Sequence, residues 1–165
     1  MNAKENNNCI RELANKKLIS NFEYPLAVHG SANIMDIITI SPDKKRMAYI
    51  GQIGDKQLVV VDGMKHNQYD SILKGSICFS PDSRQVAYVA QSDNKQFVLI
   101  NGKERTPYDG ILIGSLIFSP NSKRMAYAAQ KDKRQFIVVD GRKRKGYDSI
   151  LEGSLVFSSD SKRMA

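Results

Sequence analysis

The side chains best placed to do chemistry in this chain are cations. Lys131, Lys133 and Arg134 precede a second group, Arg142, Lys143, Arg144 and Lys145, and no other stretch is as basic. Such a cluster could contact the phosphates of an anionic polymer, and its affinity would then fall with salt. Aromatic residues for stacking single-stranded bases are not interleaved with it. The plainer reading is solvated loop charge that discourages edge association. The net charge of +8 is uneven: residues 118–156 carry +5, while 1–39 and 79–117 are neutral. The positive charge is therefore a local patch.

Other candidate groups point away from catalysis. The histidines are His29 and His66, and the repeat described below places arginines, Arg105 and Arg144, where His66 stands. Both histidines read as exposed loop residues. Cys78 sits among apolar residues and reads as a small buried hydrophobe, whereas Cys9 lies in a polar stretch. No CxxC or Cys/His cluster suggests a metal. No G-x-S-x-G elbow, P-loop or G-x-G-x-x-G fingerprint is present. Asp70, Asp109 and Asp148 recur beside Tyr69, Tyr108 and Tyr147. They could form a ring of carboxylates for cations or a basic segment. Repetition favours a structural part, in which each Asp accepts backbone N–H groups and fixes a turn. The expectation is no enzyme, no cofactor and no metal site.

The elements that must position these residues repeat every 39 residues. Ile40-Ser41-Pro42, Phe79-Ser80-Pro81, Phe118-Ser119-Pro120 and Phe157-Ser158-Ser159 fall in register. The units starting at Phe79 and Phe118 agree at 20 of 39 positions, too many for chance, so this is a repeat architecture. Each unit offers four short segments. The first is GSICFSP and its kin, and the second is RMAYI, QVAYVA or RMAYAA, with Tyr49, Tyr88 and Tyr127 in equivalent core positions. The third, QLVVVDG, QFVLING or QFIVVDG, is dense in β-branched residues. The fourth is YDSIL or YDGIL, beginning at Tyr69, Tyr108 and Tyr147. Ser-Pro-Asp presets one turn, and Asp-Gly or Asn-Gly supplies another. The spacing predicts an all-β propeller of four-stranded antiparallel blades at 40–78, 79–117 and 118–156, with a partial blade at 157–165. Ile40, Phe79, Phe118 and Phe157 are expected in the core.

The run FSPDSRQVAYVA at 79–90 resembles the SPDG-type repeat of WD-repeat-like bacterial propellers, among them the TolB-type propellers and the propeller domain of prolyl oligopeptidase relatives. The resemblance covers residues 40–165. Two departures stand out. Ser83, Ser122 and Ser161 occupy the usual Gly position, with Lys44 in the first copy, and no Trp occurs anywhere. The turn and core are expected to survive both. Such blades serve many roles, so the resemblance specifies fold far better than function.

Residues 17–39 align weakly with the third and fourth segments and read as a degenerate half blade. Residues 1–16 read as a polar tail or short helix. With the terminal pieces the chain holds about four blade equivalents, and a second chain is expected to complete the ring as a homodimer. No apolar run approaches the roughly 20 residues that span a bilayer, so membrane insertion is not expected. The opening MNAKENNNCIRELANKK lacks the apolar core of a secretory leader. The chain as written is expected in the cytoplasm, or in the periplasm if a leader was removed.

The expected function is a non-catalytic propeller module that binds a protein, peptide or other ligand as a scaffold. One alternative is a binder of anionic polymer, nucleic acid or acidic glycan, through the basic third repeat. Another is an accessory propeller of a hydrolase, since prolyl oligopeptidase relatives carry catalysis on a separate domain.

Overall fold

β-Branched runs joined by tight turns can only satisfy their backbone groups by pairing sideways. A computed structural model of the chain describes residues 38–165, and every regular element among them is a strand. The expected tail or helix over 1–16, nearly all of the half blade over 17–39, Cys9 and His29 lie outside the described residues.

The first sheet is β1 (Ile38–Ile40), β2 (Met47–Ile53), β3 (Lys56–Val61) and β4 (Met64–Tyr69), paired antiparallel in that order. The second holds β5 (Ser71–Ile72), β6 (Cys78–Phe79), β7 (Val86–Ser92), β8 (Lys95–Ile100) and β9 (Lys103–Glu104). The third repeats it with β10 (Gly110–Ile111), β11 (Ile117–Phe118), β12 (Met125–Lys131), β13 (Arg134–Val139) and β14 (Arg142–Tyr147). A bridge between Phe157 and Met164 begins a fourth unit. These are the four-stranded antiparallel blades that the period predicts.

One strand differs from expectation. The YDSIL segment is split: its tyrosine pairs with the third strand of its own sheet, but the residues after it do not. Ser71 and Ile72 pair with Gln91 and Ala90 of the next unit, and Gly110 and Ile111 pair with Gln130 and Ala129. The fourth strand is instead the stretch directly after the Asp-Gly or Asn-Gly turn. Such a turn folds the chain straight back, so the residues just beyond it take the free edge of the third strand. The sheets therefore run over 38–69, 71–104 and 110–147. In the second and third sheets the first strand is interrupted. The chain bulges out between β5 and β6, with Gly75 at φ 74°, and the Ser76 hydroxyl accepts the Val89 N–H at 3.0 Å. Ser115 does the same for Ala128 at 3.0 Å.

The core lies between sheets. Side chains of a strand alternate in face, so a sheet covered on both sides reads as a continuous apolar run. Val86, Tyr88 and Ala90 pack towards Ala48, Val59 and Val61 of the first sheet. Ala87 and Val89 pack the other way, with Val98, against Met125, Tyr127 and Ala129 of the third. Tyr88 and Tyr127 are fully buried core residues, as read from the sequence. Cys78 packs half-buried against the second cluster, and burial pushes its thiol up to about 12. Phe79 and Phe157 are buried, but Phe118 is only half-buried.

Recurring hydrogen bonds tie each sheet to the next. The Ser of each Ser-Pro-Asp turn accepts a backbone N–H five residues on, as with Ser41 and Arg46 at 2.9 Å. The residue after the Asp, or after Asn121 in the third copy, is left-handed in all four copies, at φ 60–62°. Ser stands there in three of them because its hydroxyl reaches across the seam. Ser83 accepts the Asp43 N–H at 3.0 Å, Ser122 that of Asp82 at 2.9 Å, and Ser161 that of Asn121 at 3.0 Å. Gln57 and Gln96 accept the N–H groups of Ile72 and Ile111, at 2.8 and 2.7 Å, and so capture the first strand of the following sheet.

Candidate functional site

The basic cluster is divided between two parts of the third sheet. Lys131 ends β12, Lys133 stands in the β12–β13 turn with φ 63°, and Arg134 opens β13. Arg142, Lys143, Arg144 and Lys145 were expected in a loop, and they form the exposed edge strand β14 instead. Its pairing with β13 shifts register between Phe136 and Val138, leaving one extra residue on β14. That bulge twists the edge and re-aims its side chains. Gly146 is needed beside it: a Cβ there would lie 2.8 Å from the Phe136 ring.

The structure brings two of the seven cations together. Lys131 and Lys143 line a shallow groove of about 260 Å³ with Thr106, Pro107, Tyr108 and Gly141. The groove lies on the seam between the second and third sheets. Lys143 Nζ sits 3.9 Å from the centre of the Phe136 ring, a cation–π seat that holds the ammonium in place. None of the seven cations takes part in an ion pair among the described residues. Tyr108 meets Tyr127 edge-on, with ring centres 6.1 Å apart. The Tyr127 hydroxyl is buried beside Tyr108, and burial holds its pKa far above the ordinary phenol value.

The preceding seam is filled differently at the corresponding place. There Tyr69 donates its hydroxyl proton to Glu104 Oε1 at 2.6 Å. One period later the pair is Tyr108 and Lys143, so an ammonium replaces the carboxylate. In the preceding seam the His66 ring lies 3.5 Å from where a Cβ on Gly102 would stand, and its Nδ1 is 2.9 Å from the Tyr88 hydroxyl. Burial lowers the His66 pKa below 6.5. Arg105 replaces His66 in the next seam, and a Cβ on Gly141 would meet nothing within 4 Å. Comparing counterparts 39 residues apart could have singled out Lys143 from sequence. The charge reversal from Glu104 to Lys143 was visible, but its place on a seam was not.

The repeated aspartates are structural where the structure describes their bonds. Lys56 pairs with Asp70, whose second oxygen accepts the Asp93 N–H at 3.1 Å. Lys95 pairs with Asp109 at 2.5 Å, and Asp109 also accepts the Asp132 N–H at 2.9 Å. Each joins hairpins of successive sheets, and the lysine partner holds each carboxyl below its ordinary range. No group of three or more metal-ligating side chains is found among the described residues. No helix of the described residues is long and apolar enough to cross a membrane.

No protein-family model matches the chain, and no curated protein matches it. The solved structure of TolB from Acinetobacter baumannii is similar, with a TM-score of 0.50 at 17% identity, over 79% of this chain and 37% of that one. A putative 6-phosphogluconolactonase from Bacteroides uniformis is similar at a TM-score of 0.41 and 14% identity, over 77% of this chain and 45% of that one. This chain thus spans well under two thirds of either. The first likeness, with the repeated antiparallel sheets, establishes a TolB-like β-propeller fold. At this identity it carries no function, and the second, weaker one carries no argument.

Proposed function

We propose that this chain is a non-catalytic propeller module that binds a protein or peptide partner. The observation that carries the reading is the open groove on the seam between the second and third sheets. Two lysines outside any described ion pair line it, and strands fixed on both sides hold it. Rigid strands with satisfied seams present such a surface at little ordering cost. The described histidine, His66, is occupied by Tyr88 and by the seam, which fits binding better than proton transfer. Selection of a random peptide library on the immobilised protein tests the reading. Enrichment of peptides that compete for one site is expected, and no enrichment of any sequence would overturn it.

The four consecutive cations of β14 favour a second reading, contact with an anionic polymer. It requires oligonucleotide binding that falls steeply with salt. In the lead reading a second copy of the chain also completes the ring. Leu151 and Val156, at the start of the fourth unit, are 78% and 57% exposed, while their counterparts Leu112 and Ile117 are half-buried. Light scattering should give twice the chain mass, and a monomer mass would exclude this closure.

A further inference from the structure

We infer that the groove beside Tyr108 takes a carboxylate from an acidic peptide segment, with Lys143 and Lys131 as its cationic contacts. This rests on the reading of the chain as a partner-binding module and names the class of partner.

The chain contains its own template for the contact. Between the first and second sheets, Glu104 supplies a carboxylate that accepts the Tyr69 hydroxyl at 2.6 Å. Glu104 is held in register opposite Leu99. Lys143 is held in the same register, opposite Val138, and Tyr108 stands where Tyr69 does. The seam is thus built for a carboxylate beside the tyrosine, but its own strand supplies an ammonium. A carboxylate from outside would complete the arrangement and also meet a cation. Charge-assisted hydrogen bonds of this kind are the strong ones.

Tyr108 turns to Tyr127 where Tyr69 has its carboxylate, and neither groove lysine has an anion of its own among the described residues. Lys143 rests on the Phe136 ring rather than on an anion. Asp109 is the anion near Lys131, and its two oxygens are already taken by Lys95 and the Asp132 N–H. The cover that His66 gives Gly102 is missing over Gly141. A groove of about 260 Å³ accommodates one or two side chains of an extended segment, not a folded surface. Nucleic acid fits less well. Tyr108 is only 5% exposed, and Lys143 covers the face of Phe136, so no aromatic platform awaits a base.

The test is fluorescence anisotropy with a labelled peptide of alternating glutamate and glycine, its glutamine counterpart, and a labelled single-stranded oligonucleotide. The glutamate peptide should bind, lose affinity with salt, and outcompete both controls. Lys143→Glu restores the arrangement of the preceding seam and should weaken the peptide about tenfold or more, whereas Lys143→Gln should fall between. Both variants lie on an exposed edge and should melt as the parent does. Equal binding of the glutamate and glutamine peptides would overturn the inference. So would indifference to Lys143→Glu, or tighter binding of the oligonucleotide. If the peptide library selects neutral sequences that ignore Lys143→Glu, the module reading stands and this inference falls. If neither library nor glutamate peptide binds, both fall.

Discussion

The Ser83 hydroxyl accepts the backbone N–H of Asp43, 40 residues earlier, at 3.0 Å, although Ser83 sits at φ 62° where glycine is the easier residue. The conformational penalty is tolerated because the side chain bonds across the seam between sheets. The same relationship joins Ser122 to Asp82 and Ser161 to Asn121.

Ser122→Ala should therefore be worse than Ser122→Gly. Alanine keeps the left-handed penalty and loses the bond, at a cost of about 1–2 kcal/mol. Glycine also loses the bond but regains about 1 kcal/mol by relieving the backbone. Denaturant unfolding of the two variants checks the order. If alanine were the more stable, the hydroxyl would not be the reason for serine at this position.

Phe79→Ala should cost about 3–5 kcal/mol, since the ring is 9% exposed within the first inter-sheet core. Phe118→Ala should cost clearly less, because Phe118 is half-buried. The difference has a visible cause. Arg46 lies over the Phe79 ring at 5.3 Å and Arg124 over that of Phe157 at 5.4 Å, whereas Phe118 has Gln85 at the corresponding place. Equal losses in calorimetric melting would show that exposure does not rank these sites.

Stability should fall as pH drops below about 6.5. Burial lowers the His66 pKa in the folded state, while the unfolded chain protonates at its ordinary 6.5. Its contribution is thus complete above 6.5 and lost as pH falls through the folded value. The seam carboxylates act in a lower window. Asp43 and Asp82 are held down chiefly by the Ser41 and Ser80 hydroxyls, and Asp70 and Asp109 by Lys56 and Lys95. Their contribution is present above 3.8 and is lost as pH falls through their lowered values. Urea midpoints between pH 8 and 5 should decline in the parent and stay nearly flat in His66→Gln. A parent midpoint that rises towards pH 5 would contradict the assignment.

Much of the fold was legible in the residues. The 39-residue period, the β-branched third segment and the Ser-Pro-Asp and Asp-Gly turns are local signals, and local signals survive into any tertiary arrangement. They give four-stranded antiparallel units and the buried Tyr88 and Tyr127. A joint change was also open to reading. Arg46 pairs with Asp62 at 2.7 Å and Arg124 with Asp140 at 2.9 Å, and in the middle unit both partners become neutral, Gln85 and Asn101. Residues that change together at one offset are candidates for contact.

The phase of the repeat was decided only by the tertiary structure. A periodic sequence marks no origin, so nothing local says whether Ser71 and Ile72 finish one sheet or start the next. Pairing with Gln91 and Ala90, and capture of the Ile72 N–H by Gln57, make that choice at long range. The same holds for the groove. Lys131 and Lys143 lie 12 residues apart, in two basic groups separated by the apolar run Phe136–Val139. What selects them from their neighbours is the seam with Thr106, Pro107 and Tyr108, contacts that exist only once the second and third sheets have packed.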